Sequence, residues 1–195
     1  MLKKISFLIL GYVLMGCIAG CCDTYEEFDY RWQKLELLHL NNAGREPIFA
    51  TTEIAKEAYG MRVKLHPRIV SQAVSFHPFN QAMALSCQQD VYNNPSYIET
   101  VTIYSVNQFS ESIEAEADVT SLFKARRTGD NSEFYESVNE LVASWGGSSQ
   151  DLLRSFDIYL MEPPTAGTHQ FRVDIKLSNG RHLIDTSAPI ELITL

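Results

Sequence analysis

The sequence predicts a mainly β protein: an antiparallel β-sandwich of immunoglobulin-like type with one inserted or packed α-helix. Three observations predict it. Apolar and polar residues alternate with period two in several short runs, most clearly Phe171, Val173, Ile175 and Leu177 against Arg172, Asp174, Lys176 and Ser178. Turn-forming clusters such as Asn41-Asn42-Ala43-Gly44 and Asn179-Gly180 separate the runs. Strand–helix–strand repeats are missing from the pattern, so hairpin connections dominate. The rival is an α+β fold with one sheet and the helix laid across it.

In chain order, Lys34–Asn41 is the first expected strand, with Leu35, Leu37 and Leu38 apolar. Residues 51–58 suit a helical turn or a loop. Tyr59, Met61, Val63 and Leu65 alternate with Gly60, Arg62, Lys64 and His66, a strand that Pro67 is expected to end. Residues 71–96 hold no period and read as a long excursion, unusual in a compact domain unless it serves a purpose. Tyr97–Val106 is rich in strand formers, and Asp118–Phe123 suits a short helical turn. Asp130 and Glu133 match a capping box for a helix whose apolar face is Phe134, Val138, Leu141, Val142 and Trp145, ended by Gly146-Gly147. Ser155–Glu162 is a strand stopped by Pro163-Pro164. Phe171–Leu177 and Arg181–Thr186 form a hairpin about a type I′ Asn179-Gly180 turn. Ile190–Leu195 supplies a last strand. A two-residue turn pairs Leu177 with His182 and Ile175 with Ile184. It also sets Asp174 against Asp185, which implies an offset by Arg172 and Lys176, a bound cation or a shifted register.

The N-terminus carries an address. Lys3 and Lys4 precede an apolar run, Ile5 to Met15, of about ten residues, too short to span a bilayer and the length of a secretory leader. Small residues then lead into a cysteine, Ile18-Ala19-Gly20-Cys21. That order resembles a bacterial lipoprotein signal, which implies residues 1–20 as the leader and acylation of the Cys21 thiol. Cys17, after Leu14-Met15-Gly16, is the second choice. Residues 21–33 then read as a tether, with Asp23, Glu26, Glu27 and Asp29 acidic, and residues 34–195 as one β-rich domain.

Removing residues 1–20, which carry two lysines and no acid, takes the net charge from −8 to −10. Such a surface repels nucleic acid and anionic headgroups. The expected membrane contact is therefore the lipid anchor, and no nucleic-acid partner is expected. With Cys21 acylated, Cys22 and Cys87 remain as a candidate disulfide in an oxidising compartment. The alternative is a small residue near the anchor and a buried thiol. No cysteine or histidine spacing suits a zinc site, and no cofactor is expected.

No catalytic signature is present. Ser121-Leu122-Phe123-Lys124 matches Ser-x-x-Lys, but the Ser-Asp-Asn and Lys-Thr-Gly motifs of penicillin-recognising enzymes are missing. Gly-x-Ser-x-Gly, His-Glu-x-x-His and the P-loop are missing too. The remaining candidates are aromatic: Tyr92, Tyr97 and Trp145 as a sugar-stacking platform, or simply as packing.

Three stretches carry a resemblance: Ile18-Ala19-Gly20-Cys21-Cys22 with acids after it, Tyr97–Val106 leading to Asp118-Val119-Thr120-Ser121-Leu122-Phe123, and Gly167-Thr168-His169-Gln170-Phe171. With these the chain resembles the small lipoproteins of Bacteroides-type bacteria grouped only as a domain of unknown function. The resemblance implies attachment to the outer membrane, facing the periplasm or the outside, and supplies no catalytic residue. The expected function is a non-enzymatic binding module for a glycan, peptide or envelope-protein partner. The alternatives are a hydrolase of envelope or other polysaccharide, with the 71–96 segment forming its cleft, and a structural subunit of a surface assembly.

Overall fold

The structure, a computed structural model, describes residues 24–76, 91–93, 96–129, 135–144 and 155–195. Cys17, Cys21, Cys22, Cys87 and Trp145 lie outside the described residues, as do Asp130 and Glu133. The strands are β1 (Thr24–Asn41), β2 (Ile48–Phe49), β3 (Glu53–Ala55), β4 (Tyr59–Phe76), β5 (Val91–Asn93), β6 (Ile98–Ser105), β7 (Ala117–Asp118), β8 (Phe123–Arg127), β9 (Glu136–Ser137), β10 (Ser155–Leu160), β11 (Gly167–His169), β12 (Phe171–Leu177), β13 (His182–Thr186) and β14 (Ile190–Ile193). The α-helix among the described residues is α1 (Val138–Ser144). The protein is mainly β, and most of its strand pairs are antiparallel, as alternation predicts.

Two compact units are distinguished. One contains the described residues up to Tyr30 and those between Ile69 and Asn93. In it β5 runs parallel to the start of β1, setting Glu27 beside Val91 and Asp29 beside Asn93. The other contains Arg31–Arg68 and the described residues from Ser96 to Leu195. It holds most of the buried core.

Three sheets build the larger unit. Within it six strands run in the order β2-β1-β4-β10-β8-β9, part of a seven-stranded sheet whose remaining strand, β5, belongs to the other unit; β13-β12-β6-β7 and β11-β14-β3 are the other two. In the small sheet β14 lies parallel to β3, which an all-antiparallel expectation does not contain. Phe171, Val173, Ile175 and Leu177 are fully buried on the inner face of β12. The Phe171 ring stacks on Tyr59 of β4 at 5.2 Å and meets Phe123 of β8 edge-on at 5.5 Å. The seven- and four-stranded sheets therefore share one core, and burying each such ring contributes roughly 1.5–3 kcal/mol. The outer edge of β6 is closed by side chains. Asn139 Oδ1 of α1 accepts from Val101 N at 2.9 Å, and Thr120 Oγ1 accepts from Ile103 N at 2.8 Å. Both remove donors that an open edge would offer to another chain.

Four expectations are corrected. The capping box sits at Ser137 and Glu140: the Ser137 N–H donates to the Glu140 carboxylate at 3.1 Å, and Glu140 N donates to Ser137 Oγ at 3.3 Å. The helix therefore begins at Val138 and not after Asp130, because residues 136–137 pair with β8 as β9. Pro67 does not end β4, whose rungs to β10 stop at Lys64, so no rung to β10 is lost at the proline. Of the 71–96 excursion, residues up to Phe76 continue β4 and 91–93 form β5; residues 77–90 and 94–95 lie outside the described ones.

The terminal hairpin is also one residue out of the expected register. Gly180 N donates to Leu177 O and Leu177 N donates to Arg181 O, each at 2.8 Å. Gly180 alone in the turn has a positive φ, +80°, so this is a three-residue loop with the glycine in the left-handed position and not a type I′ pair. Arg181 now faces Leu177, Ile184 faces Asp174, and Asp185 faces Val173. Asp174 takes His182 Nδ1 at 2.7 Å, and Asp185 takes the Leu37 N–H of β1 at 3.2 Å. The two acids do not face each other, so the register resolves their repulsion and no cation is required there. His182 is exposed.

Candidate functional site

The outward face of the seven-stranded sheet gathers charge and aromatic rings. Alternation along β4 turns Arg62, Lys64 and His66 away from the buried Met61, Val63 and Leu65. On β10 the burial does not alternate: Asp157 and Tyr159, each 2% exposed, are as buried as Phe156 and Ile158. Register sets Asp157 between Arg62 of β4 and Arg126 of β8. Arg62 Nε and Nη2 donate to the two Asp157 oxygens at 2.6 and 2.8 Å. Thr128 Oγ1 donates at 3.2 Å, and the Tyr159 hydroxyl donates at 3.4 Å. A bidentate pair of this kind is the strong form of the contact. The Asp157 bonds hold the Arg62 guanidinium more firmly protonated than an ordinary arginine.

Tyr159 links the pair to Arg126. Its hydroxyl accepts from Arg126 Nη2 at 3.2 Å. The same guanidinium lies 5.4 Å from the ring centroids of both Tyr159 and Tyr135, a cation–π seat. Burial, and then the Asp157 charge, push the Tyr159 phenol up to about 12, so it remains a donor at neutral pH. Gly60 makes this geometry possible. It faces Tyr159 across the β4–β10 rung, and a Cβ there would stand 2.8 Å from the ring and 2.9 Å from the Ile158 carbonyl oxygen.

Phe49 stands at the other side of the face. It is 55% exposed at the end of β2, with Arg62 at 5.2 Å and Lys64 at 5.6 Å from its centroid. Beyond Lys64, His66 Nε2 bonds Glu36 at 2.7 Å, and that bond holds the Glu36 carboxyl below its ordinary range. Lys124 shares the Tyr159 rung on β8. Arg62 and Arg126 thus flank one buried acid, and the outer cations each have an acid near them, Glu36 by Lys64 and Glu140 by Lys124, on a chain whose formal net charge is −8. Asp157 is spent holding Arg62, and Tyr159 is held protonated. What remains exposed on this face is Phe49 with Lys64 beside its ring, and the His66–Glu36 pair.

Of the sequence candidates, Trp145 lies outside the described residues. Tyr97 is exposed where its carbonyl accepts from Ser178 N at 2.9 Å, beside the hairpin loop of the four-stranded sheet. Tyr92 belongs to β5 in the other unit. Ser121 lies on a 3-10 turn, Thr120–Leu122, and Lys124 on β8, so Ser-x-x-Lys here spans a turn and a strand. Among the described residues, no three His, Cys, Asp or Glu side chains come together as a metal-binding group. Sequence reasoning missed Phe49, Arg62, Arg126, Tyr135, Asp157 and Tyr159. The available signal was Asp157, a lone acid between Phe156 and Ile158 in an apolar strand.

No curated protein and no solved structure matches the chain. A protein-family model described as a domain of unknown function (DUF5034) matches residues 32–188, a span that includes every residue of the cation–aromatic face, and the chain belongs to that family.

Proposed function

We propose that this is a lipid-anchored envelope protein of the outer membrane, a tethered β-sandwich that acts as a non-enzymatic binding module. Its ligand, a glycan, peptide or protein partner, would lie on the cation–aromatic face. The leader and Ile18-Ala19-Gly20-Cys21 support the tether. One observation carries the binding half: Phe49 remains more than half exposed while two cations occupy positions beside its ring. An exposed ring with charges fixed around it is a contact surface with its conformational entropy already reduced.

The tether is tested by palmitate labelling of wild type and Cys21→Ser in cells; equal incorporation in both refutes Cys21 as the anchor. The face is tested by screening the purified full chain on combined glycan and peptide arrays, alongside Phe49→Ala. Signal lost in the variant is expected, and signal unchanged refutes the face.

A further inference from the structure

We propose that the ligand class is a carboxylate-bearing glycan, laid across β4, β10 and β8; this rests on the binding-module reading above. Register gives the cations an order. Lys64 faces Ser155, Arg62 and Arg126 flank Asp157, and Lys124 faces Tyr159. Adjacent strands lie about 4.8 Å apart and alternate residues about 6.7 Å apart, so the track from Lys64 to Lys124 runs diagonally for about 16 Å. Phe49 flanks its Lys64–Arg62 half and Tyr135 its Arg126 half. Rings and cations that alternate over this length match a chain of sugars carrying a carboxylate on some units and apolar ring faces on all.

Two competing ligands fit less well. An extended peptide gains much of its affinity from main-chain hydrogen bonds at a sheet edge. On this face the central strand is already paired on both sides, Phe156–Ile158 to Met61–Val63 and to Ala125–Arg127. A densely charged polyanion is repelled by the chain's net charge of −8. A carboxylated glycan carries at most one charge per sugar and donates hydroxyl hydrogen bonds to the polar side chains along the track.

The test uses the detergent-solubilised full chain and isothermal titration. The probes are oligogalacturonate, oligoalginate and hyaluronan fragments, methyl-esterified oligogalacturonate, poly-glutamate, and vesicles of phosphatidylcholine with phosphatidylglycerol. At least one carboxylated oligosaccharide is expected to bind, more weakly as salt rises. Lys64→Gln, Lys124→Gln and Phe49→Ala are each expected to lower its affinity about tenfold, the equivalent of roughly 1.4 kcal/mol. All three side chains are at least partly exposed, so melting temperature should be retained, and it is measured as the folding control. Failure of all three carboxylated oligosaccharides to bind overturns the proposal. So does galacturonate binding that esterification leaves intact, or oligosaccharide binding that the variants leave intact. Binding of poly-glutamate or vesicles alone, lost in the same variants, overturns the glycan assignment and leaves the face as the binding surface.

Discussion

Gly60 is the position where one methyl group tests the site's construction. In Gly60→Ala the new Cβ meets two neighbours, the Tyr159 ring at 2.8 Å and the Ile158 carbonyl oxygen at 2.9 Å. The ring can swing aside only by giving up the Arg126 contact at 3.2 Å. The carbonyl cannot retreat cheaply, because β10 is held by ladders on both sides. Overpacking of this kind costs about 1–3 kcal/mol. Removing a glycine from a strand returns about 0.5–1 kcal/mol. The net loss is about 2 kcal/mol at the upper end, which lowers Tm by roughly 4–8 °C in a chain of this size. Calorimetry of Gly60→Ala in wild-type and Tyr159→Leu backgrounds separates the two contacts. The penalty should fall by about half once the ring is gone, with the carbonyl contact remaining. An alanine variant that melts above the wild type would refute the reasoning. Ligand affinity should fall with stability, since the same displacement unseats Arg126.

Stability should also drop in mild acid through His39. Its Nε2 donates to the Ala188 carbonyl at 2.9 Å, so the neutral ring accepts from Tyr59 at Nδ1, 3.0 Å away. Burial lowers its pKa below the ordinary 6.5. Above 6.5 folded and unfolded states are both neutral and the stability is complete. As pH falls through 6.5 the unfolded chain takes up a proton that the folded chain resists, and stability declines until the folded pKa is reached. Glu36 and Glu140 are held below 4.5, so their contributions disappear only at still lower pH. Urea midpoints at pH 7.5 and 5.5 should therefore diverge in wild type and converge in His39→Gln; equal slopes would contradict the assignment. Asp157→Ala leaves Arg62 facing a buried gap and should cost about 3 kcal/mol, the low end for a broken buried pair because Arg62 is partly solvated. Arg62→Met with Asp157→Leu should recover most of it by urea denaturation, and no recovery would mean the pair itself is needed. Ser137→Ala removes the cap of α1 and should cost about 1 kcal/mol by the same measurement.

Much of the architecture is readable from local pattern. Val101, Ile103, Phe171, Val173, Ile175 and Leu177 alternate because one side of each strand faces the core, and all six are buried. The errors share a cause. Asn179-Gly180 satisfies two turn geometries, and the one adopted sends Asp185 to the Leu37 N–H, a partner 148 residues away. Asp130 and Ser137 both offer a box with a glutamate three residues on. The box at Ser137 caps α1, where the chain leaves its pairing with β8; Asp130 and Glu133 lie outside the described residues.

The candidate face was hidden for a deeper reason. Arg62 and Asp157 are 95 residues apart, and although Asp157 stands out as a lone acid in an apolar strand, nothing local names Arg62 as its partner. By itself the sequence determined which residues turn inward, where most strands lie and the small-residue approach to Cys21, because each depends on neighbours a few positions away. Only the tertiary structure decided which strands lie side by side. Pairing β4, β10 and β8 is a choice among distant segments, made by closure of the whole core around Phe171. That choice set two guanidinium groups on either side of one buried carboxylate.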